Sequence, residues 1–315
     1  MQKTSTFPTA PFSGLGLASQ QAEHFKMIAL FVLGIALLGG NWPVMKLGLN
    51  HIPPIWFAAV RFISGCICLI LLQALSGRLV LPKRRDFPII ASVGLIQMMM
   101  FTALGAIAML SVSAGRSAIL GYTTPLWVTP VAMFLFKERF SPRQLAGTIV
   151  GFAGVMLMLN PGEINWQDSQ TVQGNALLLF CSLCWAVCIL HIRHHQTEAS
   201  AYQLAPWQML LASMCLLPLA YWIEGGFTGD LSPTFWWVML YVGPLATAFS
   251  FVAINAAGRW LSSASMSNAM LGVPVIGLLT STIFLGEPLS ASLLIGGVVI
   301  LGGIVCVTWK SAKGA

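Results

Sequence analysis

The stretch PLWVTPVAMFLFKE at residues 125–138 has a counterpart, PVIGLLTSTIFLGE, at residues 274–287. In both copies a proline opens an apolar run that ends thirteen positions later on a glutamate, and the two stand 149 positions apart (125 to 274). The same offset pairs Ser113 with Ser262, Ser141 with Ser290, Gly147 with Gly296 and Gly154 with Gly303. One match would mean little. Several in one register, over about 40 residues, mark a duplicated unit.

Working outward, each copy closes a set of five apolar blocks. Of the 315 residues, 57% are hydrophobic and 8% charged, with mean hydropathy +0.82. Soluble domains carry about 25% charged residues. The blocks are about 20 residues long, enough to cross a ~30 Å hydrocarbon core as a helix. Open strand edges cannot be satisfied in lipid, so the expected class is all-α: a polytopic membrane protein of ten transmembrane helices. The expected spans are 26–47, 54–76, 87–110, 116–136, 142–160, 174–193, 202–223, 234–256, 261–285 and 289–309. Residues 1–25 read as a flexible cytoplasmic tail, 26–160 as the first five-helix repeat, 161–173 as an external linker, 174–310 as the second repeat and 311–315 as a short tail. The first apolar block is too long for a signal-peptide core and lacks a small-residue cleavage site, so it is expected to remain as the first helix.

Charge sets the orientation. Thirteen of the 16 Lys and Arg fall on one side if the N-terminus is inside: Lys3, Lys26, Arg78, Lys83, Arg84, Arg85, Lys137, Arg139, Arg143, Arg193, Arg259, Lys310 and Lys313. The longer loops opposite carry only Glu163, Asp168, Glu224 and Asp230. The positive-inside rule then puts both termini in the cytoplasm of a bacterial inner membrane. Five helices per unit is odd, so the second repeat is expected upside down relative to the first. Inverted repeats around a midplane site are the plan of many secondary transporters.

Further stretches carry a resemblance. They are Gly39-Gly40-Asn41-Trp42-Pro43-Val44-Met45-Lys46, Pro53-Pro54 through Phe57 to Arg61-Phe62, Gln144-Leu145-Ala146-Gly147, Cys184-Trp185-Ala186 and Ala205-Pro206-Trp207-Gln208. With the two repeat stretches, they make residues 26–310 resemble an EamA-type member of the drug/metabolite transporter superfamily. Where that family commonly writes Trp-Gly, this chain has Gly39-Gly40, with a tryptophan at Trp42. The resemblance implies a ten-helix, ATP-independent carrier, often an exporter of amino acids or other small metabolites. Drug efflux and sugar-phosphate or nucleotide-sugar antiport are the alternatives within transport; a chaperone or regulator of another membrane complex is the alternative outside it.

All nine carboxylates fall in loops, tails or helix ends, which argues against a buried glutamate as proton carrier. Arg61 lies deeper in its helix than snorkelling easily reaches and suits a substrate carboxylate. Lys46 lies near a helix end, where anchoring and binding are equally consistent. The substrate-binding set read from the sequence is Arg61, Trp42, Trp185, Trp207, Gln208, Asn41, Gln97 and Tyr122, polar or aromatic groups inside apolar blocks. Asn255, Asn268 and Trp127 share that character, while Trp260 and Trp309 read as part of the interfacial belt. Pro125 and Pro274 read as symmetric hinges. Glu138 and Glu287 read as turn fixtures beside N-capping serines, and Gly147-x-x-x-Gly151 as a close-packing face inside the monomer, with a homodimer contact as its alternative use.

His191 reads as an interfacial histidine. The seven cysteines lie in apolar blocks, and Cys181-Ser-Leu-Cys184 lacks the context of a redox or zinc motif. No cofactor, metal or catalytic residue is called: the sequence has no nucleophile elbow, HExxH or acidic metal cluster. Nor does it have the basic, aromatic-interleaved stripe that nucleic acid would need. The expected partners are a small-molecule solute and the bilayer.

Overall fold

The computed structural model describes residues 17–159, 168–257 and 269–308. Their regular secondary structure is all helical, without strands. The helices are α1 (Leu17–Gly48), α2 (Pro54–Leu75), α3 (Phe87–Ala108), α4 (Ala114–Phe136), α5 (Pro142–Leu159), α6 (Ser169–His194), α7 (Ala201–Glu224), α8 (Pro233–Ala257), α9 (Gly272–Leu285) and α10 (Ala291–Thr308). Eight of them, α1 to α8, are long and apolar enough to cross a bilayer; α9 and α10 are shorter apolar helices. The chain is a multi-pass membrane protein. The tails 1–16 and 311–315, most of the 161–173 linker, and Ser262, Arg259, Asn268, Trp260 and Trp309 lie outside the described residues.

Two helix starts differ from the sequence reading by more than three residues where both positions are described. α1 begins at Leu17, not at 26, because Gln20-Gln21-Ala22-Glu23 are good helix formers that extend the apolar block backward. α6 begins at Ser169, not at 174, because Asp168 is an N-cap whose carboxylate accepts from Thr171 N and Thr171 Oγ1.

The repeat extends to details that hydropathy does not show. α5 and α10 begin 149 positions apart. So do two wide-turn π-helical segments, Ser92–Met100 within α3 and Tyr241–Phe249 within α8. The left-handed residues that end α4 and α9, Lys137 and Gly286, obey the same offset. In α8 the wide turns have evident causes. Pro244 removes a backbone donor, and the Thr247 and Ser250 hydroxyls donate to carbonyls five residues back, Val242 and Leu245. α3 has the same widening with no proline in its π segment.

α5 and α10 cross with backbones in contact. A Cβ on Gly147 would stand 2.9 Å from the Gly303 carbonyl, and one on Gly154 would stand 3.0 Å from the Gly296 carbonyl. Exchanging each residue for its repeat partner turns the first contact into the second, so a local two-fold relates the two helices. Small residues allow such close approach in lipid, where apolar burial alone gives no drive to associate. The glycine face is therefore spent within the monomer. Gly303→Leu is expected to cost at least about 3 kcal/mol, since its Cβ would lie 2.5 Å from Gly151 N; a thermal midpoint in detergent equal to wild type would contradict this crossing.

Kinks are satisfied locally. Pro206 leaves the Tyr202 carbonyl without its intrahelical donor, and Gln73 Nε2 of α2 donates to it at 2.6 Å. At the end where α2 finishes and α7 starts, buried Asp86 accepts from Lys83 N (3.0 Å), Glu198 N (2.8 Å) and Ala199 N (3.3 Å), joining two loops. Burial works to raise this carboxyl's pKa, but the three backbone donors outweigh it and hold the group below the usual carboxylate range. A depressed folded pKa contributes stability above the unfolded value of ~3.9 that is lost as pH falls through the folded value. Asp86→Asn is expected to lower the thermal midpoint at pH 7, and the gap to wild type should narrow below about pH 4. A gap that is constant with pH would remove the carboxylate from this role.

Candidate functional site

α1, α2, α3, α4, α6, α7 and α8, with Met270 ahead of α9, enclose a cavity of about 340 Å³. Its walls include Asn41, Trp42 and Met45 of α1, Arg61 of α2, Gln97, Phe101 and Thr102 of α3, Tyr122, Trp185 of α6, Met209 of α7, and Thr247 and Asn255 of α8. Both π segments contribute: Gln97 and Met98 come from the first, Ala246 and Thr247 from the second. Wide turns re-aim side chains that a regular α-helix would point elsewhere, and they recur at functional sites.

One wall is an unbroken aromatic chain. Trp42 meets Tyr122 edge-on with ring centroids 6.5 Å apart, Tyr122 meets Trp185 at 5.8 Å, and Trp185 meets Phe101 at 5.1 Å. Tyr122 reaches this position because α4 breaks at Tyr122-Thr123, just before Pro125. The equivalent position, Leu271, interrupts the chain three residues before Pro274. Trp42 packs close to Gly121 and Gly277, where a Cβ would approach its ring to 2.7 and 3.2 Å.

The opposing polar group is Arg61. Its Nε donates to Thr247 Oγ1 at 2.9 Å and its Nη1 to Met45 Sδ at 3.2 Å. That sulfur also accepts from Asn41 Nδ2 at 3.0 Å, while Asn41 Oδ1 is buried without a partner. A guanidinium has five N–H donors in a fixed fork and keeps its charge. Neither partner here is anionic. The described carboxylates are engaged elsewhere: Asp86 as above, Glu138 with Arg193, Asp168 with Thr171, Glu198 with Lys83, Glu224 and Glu287 with helix N-termini, and Asp230 with His51. Among the described residues, the cavity therefore holds one cation and no counter-charge. A carboxylate bound in bidentate fashion is the complementary ligand.

The two ends of the cavity differ. At the end where α2 starts, Glu224 accepts from Ile55 N (2.8 Å) and Trp56 N (2.9 Å), and Trp56 Nε1 donates to Gly225 O. Glu287 accepts from Ala114 N (2.6 Å) and Gly115 N (2.9 Å). His51 pairs with Asp230 at 2.6 Å. Each of these contacts ties the first half of the chain to the second, and both glutamates sit at helix N-termini, where the dipole favours an anion. At the opposite end a second cavity of about 430 Å³, lined by Arg78, Ser200, Tyr202, Gln203 and Asn255, shares Asn255 with the first.

Six of the eight residues singled out from the sequence line the cavity: Arg61, Trp42, Trp185, Asn41, Gln97 and Tyr122. Trp207 and Gln208 do not. Trp207 Nε1 donates to Val80 O, pinning α7 to the α2–α3 loop, and Gln208 is buried with its backbone carbonyl facing Gly94 of α3. α7 presents Met209 instead, one position or about 100° further round the helix. Lys46 points away from the cavity: its ammonium donates to Met109 O and Val112 O in the turn that follows α3. Glu138 and Glu287 do more than fix turns, since Glu138 binds Arg193 (2.5 Å) and His194 (3.2 Å) of α6 and Glu287 caps α4. Phe101, Met45 and Thr247 were missed. The signal for Met45 was its position four residues after Asn41; Thr247 depends on the π turn.

Known proteins match along nearly the whole chain. The model of the EamA-like transporter family matches twice, over residues 25–160 and 172–309. An uncharacterized transporter of Bacillus subtilis, YoaV, is 22% identical over 91% of this chain and 98% of its own. A probable amino-acid metabolite efflux pump of Salmonella typhimurium is 25% identical over 87% and 92%, and a probable terminal-alkyne amino-acid exporter of Streptantibioticus cattleyicolor is 25% identical over 91% and 94%. A solved crystal structure shares the fold, with TM-score 0.60 and 19% identity over 88% of this chain and 95% of that one. With a family model matched over both halves, the chain belongs to the EamA-like transporter family.

Proposed function

We propose that this transporter is a secondary, ATP-independent carrier that exports amino acids or related small carboxylate-bearing metabolites across a bacterial inner membrane. The observation that carries this reading is Arg61, a cation without a carboxylate partner in an aromatic-walled cavity. In this reading the solute's carboxylate takes the free N–H groups of Arg61. Its apolar part packs on Trp42, Tyr122 and Trp185, and Asn41 Oδ1 accepts from an ammonium group. A lipophilic cation would meet repulsion from Arg61, and the phosphates of a nucleotide sugar would call for several convergent cations where one is present. The amino-acid metabolites named for two relatives at 25% identity agree with this chemistry.

Transport works by alternating access of two inverted repeats, 26–160 and 174–310, in a ten-span topology with both termini cytoplasmic. The glutamate ties at the α2-start end then close the outer gate, and the Arg78–Asn255 cavity is the inner approach. The solute and the bilayer are the partners. Pro125 and Pro274, beside the breaks in the chain, act as hinges.

A thermal-shift screen of purified protein tests the solute class. Ligand at one hundred times its Kd stabilises the fold by about 2.7 kcal/mol. Amino acids or related carboxylates are expected to raise the midpoint, while lipophilic cations, sugar phosphates and nucleotide sugars are not. Stabilisation by lipophilic cations alone would replace this reading with drug efflux.

A further inference from the structure

A third cavity, of about 320 Å³, opens on the flank of the bundle between the ends of α4 and α6. Its walls are apolar: Val131, Leu135 and Phe136 from α4, Val187 and Leu190 from α6. Leu135 is 67% exposed, so the groove faces the surroundings of the bundle, which in a membrane protein are acyl chains. His191, His194 and His195 close its other side.

The chain that leaves α4 at this groove is Lys137-Glu138-Arg139; in the second repeat the same positions read Gly286-Glu287-Pro288. The turn can therefore be built without either cation. Lys137 nonetheless sits in the left-handed region at φ 53°, where its repeat partner is a glycine at φ 65°. That conformation costs a residue with a Cβ about 1 kcal/mol. The positive-inside rule asks for charge in this segment, but any neighbouring position would meet it; it gives no reason for a lysine at the strained one. Strain kept at a surface position points to a use for that side chain. Lys137 and Arg139 are exposed, and Glu138 is already neutralised by Arg193 at 2.5 Å, so the turn that follows Phe136 of the groove is net positive.

We propose that this groove binds one anionic phospholipid, an acyl chain lying along Leu135, Phe136 and Val187 and the phosphate meeting Lys137 and Arg139. Lipid phosphates are recognised by basic groups at this depth, and a trough beside them selects the chain-bearing form. The site is separate from the central cavity and does not depend on the solute assigned to it.

The test compares thermal midpoints of delipidated protein in detergent with added phosphatidylglycerol, phosphatidylcholine of the same acyl chains, or glycerophosphate. Phosphatidylglycerol is expected to stabilise by several degrees more than phosphatidylcholine, and glycerophosphate not at all. In a Lys137→Gly/Arg139→Gln variant that advantage should vanish while the lipid-free midpoint stays equal or rises, because glycine relieves the backbone. A Lys26→Gln/Arg84→Gln variant, with the same charge change outside the groove, should keep it. Equal stabilisation by both lipids, a full effect from glycerophosphate, an advantage that survives Lys137→Gly/Arg139→Gln, or its equal loss in the Lys26/Arg84 variant would each overturn the site. Should the groove variant not fold, Val187→Trp fills the trough instead, and phosphatidylglycerol retained in native mass spectra should drop; undiminished retention would overturn it equally.

Discussion

Arg61→Gln is expected to weaken binding of a carboxylate solute by about 100- to 1,000-fold while leaving the empty protein as stable as wild type or more so. Two physical terms act in opposite directions. Charge-assisted hydrogen bonds to a carboxylate are each worth about 1.5–3 kcal/mol, and losing a two-pronged pair removes roughly 3–4 kcal/mol, which sets the fold-change. In the empty protein, by contrast, the hydrogen-bond partners of Arg61 among the described residues are Thr247 Oγ1 and Met45 Sδ, with the Phe62 ring centroid 5.9 Å from its guanidinium carbon. A desolvated cation without an anion is a burden, and a neutral amide removes it. Loss of binding with retained or raised stability separates a ligand anchor from a structural arginine, whose removal would lower both. Arg61→Lys should fall between, since an ammonium keeps the charge but not the planar fork. A thermal midpoint and a titration on each variant check the pattern.

The second large effect is expected at Gly243, in the π segment of α8. A Cβ there would collide with the Ser64 hydroxyl and lie 3.0 Å from the Arg61 carbonyl. α8 thus rests on α2 at the turn that carries Arg61, and Thr247, one turn on, is the guanidinium's partner. Gly243→Leu is expected to push the helices apart, destabilise by about 3 kcal/mol or more and abolish transport. Gly243→Ala should be milder, and Ser64→Ala, which removes the colliding oxygen, should restore part of the loss. Additive damage in that double variant would mean the two residues do not meet as described. At the repeat-equivalent position, Gly94 crosses α7 with a Cβ-to-carbonyl approach of 2.9 Å at Gln208. Both wide turns therefore work as close crossings between the halves.

Much of the fold was legible because lipid imposes simple rules: helix only, and about 20 apolar residues per span. The 149-residue register, seen first in prolines, glutamates and glycines, reappears in helix limits and π segments. Arg61 was legible as a charge too deep to snorkel, and Trp42, Tyr122 and Trp185 as aromatics in apolar blocks. What hydropathy could not supply was rotation about each helix axis. Trp207 and Gln208 differ from Met209 by a fraction of a turn, and no amphipathic stripe marks which of them faces a cavity when the whole helix is apolar. The π segments were invisible for a related reason: α8 has Pro244 as a cue, but α3 has none. Glu287 looked like a turn fixture, and Lys46 stayed open between anchoring and binding, because their partners, the first amides of α4 and the carbonyls just after α3, lie far along the sequence.

The most direct measurement is counterflow in sealed proteoliposomes, without ATP, using the amino acid that stabilises the purified protein most. Labelled solute should accumulate against a preloaded unlabelled pool through wild-type protein and should not do so through Arg61→Gln reconstituted to the same level. Accumulation through Arg61→Gln at the wild-type rate, or none through wild-type protein in the presence of a bound carboxylate, would contradict a carrier that holds its solute on Arg61.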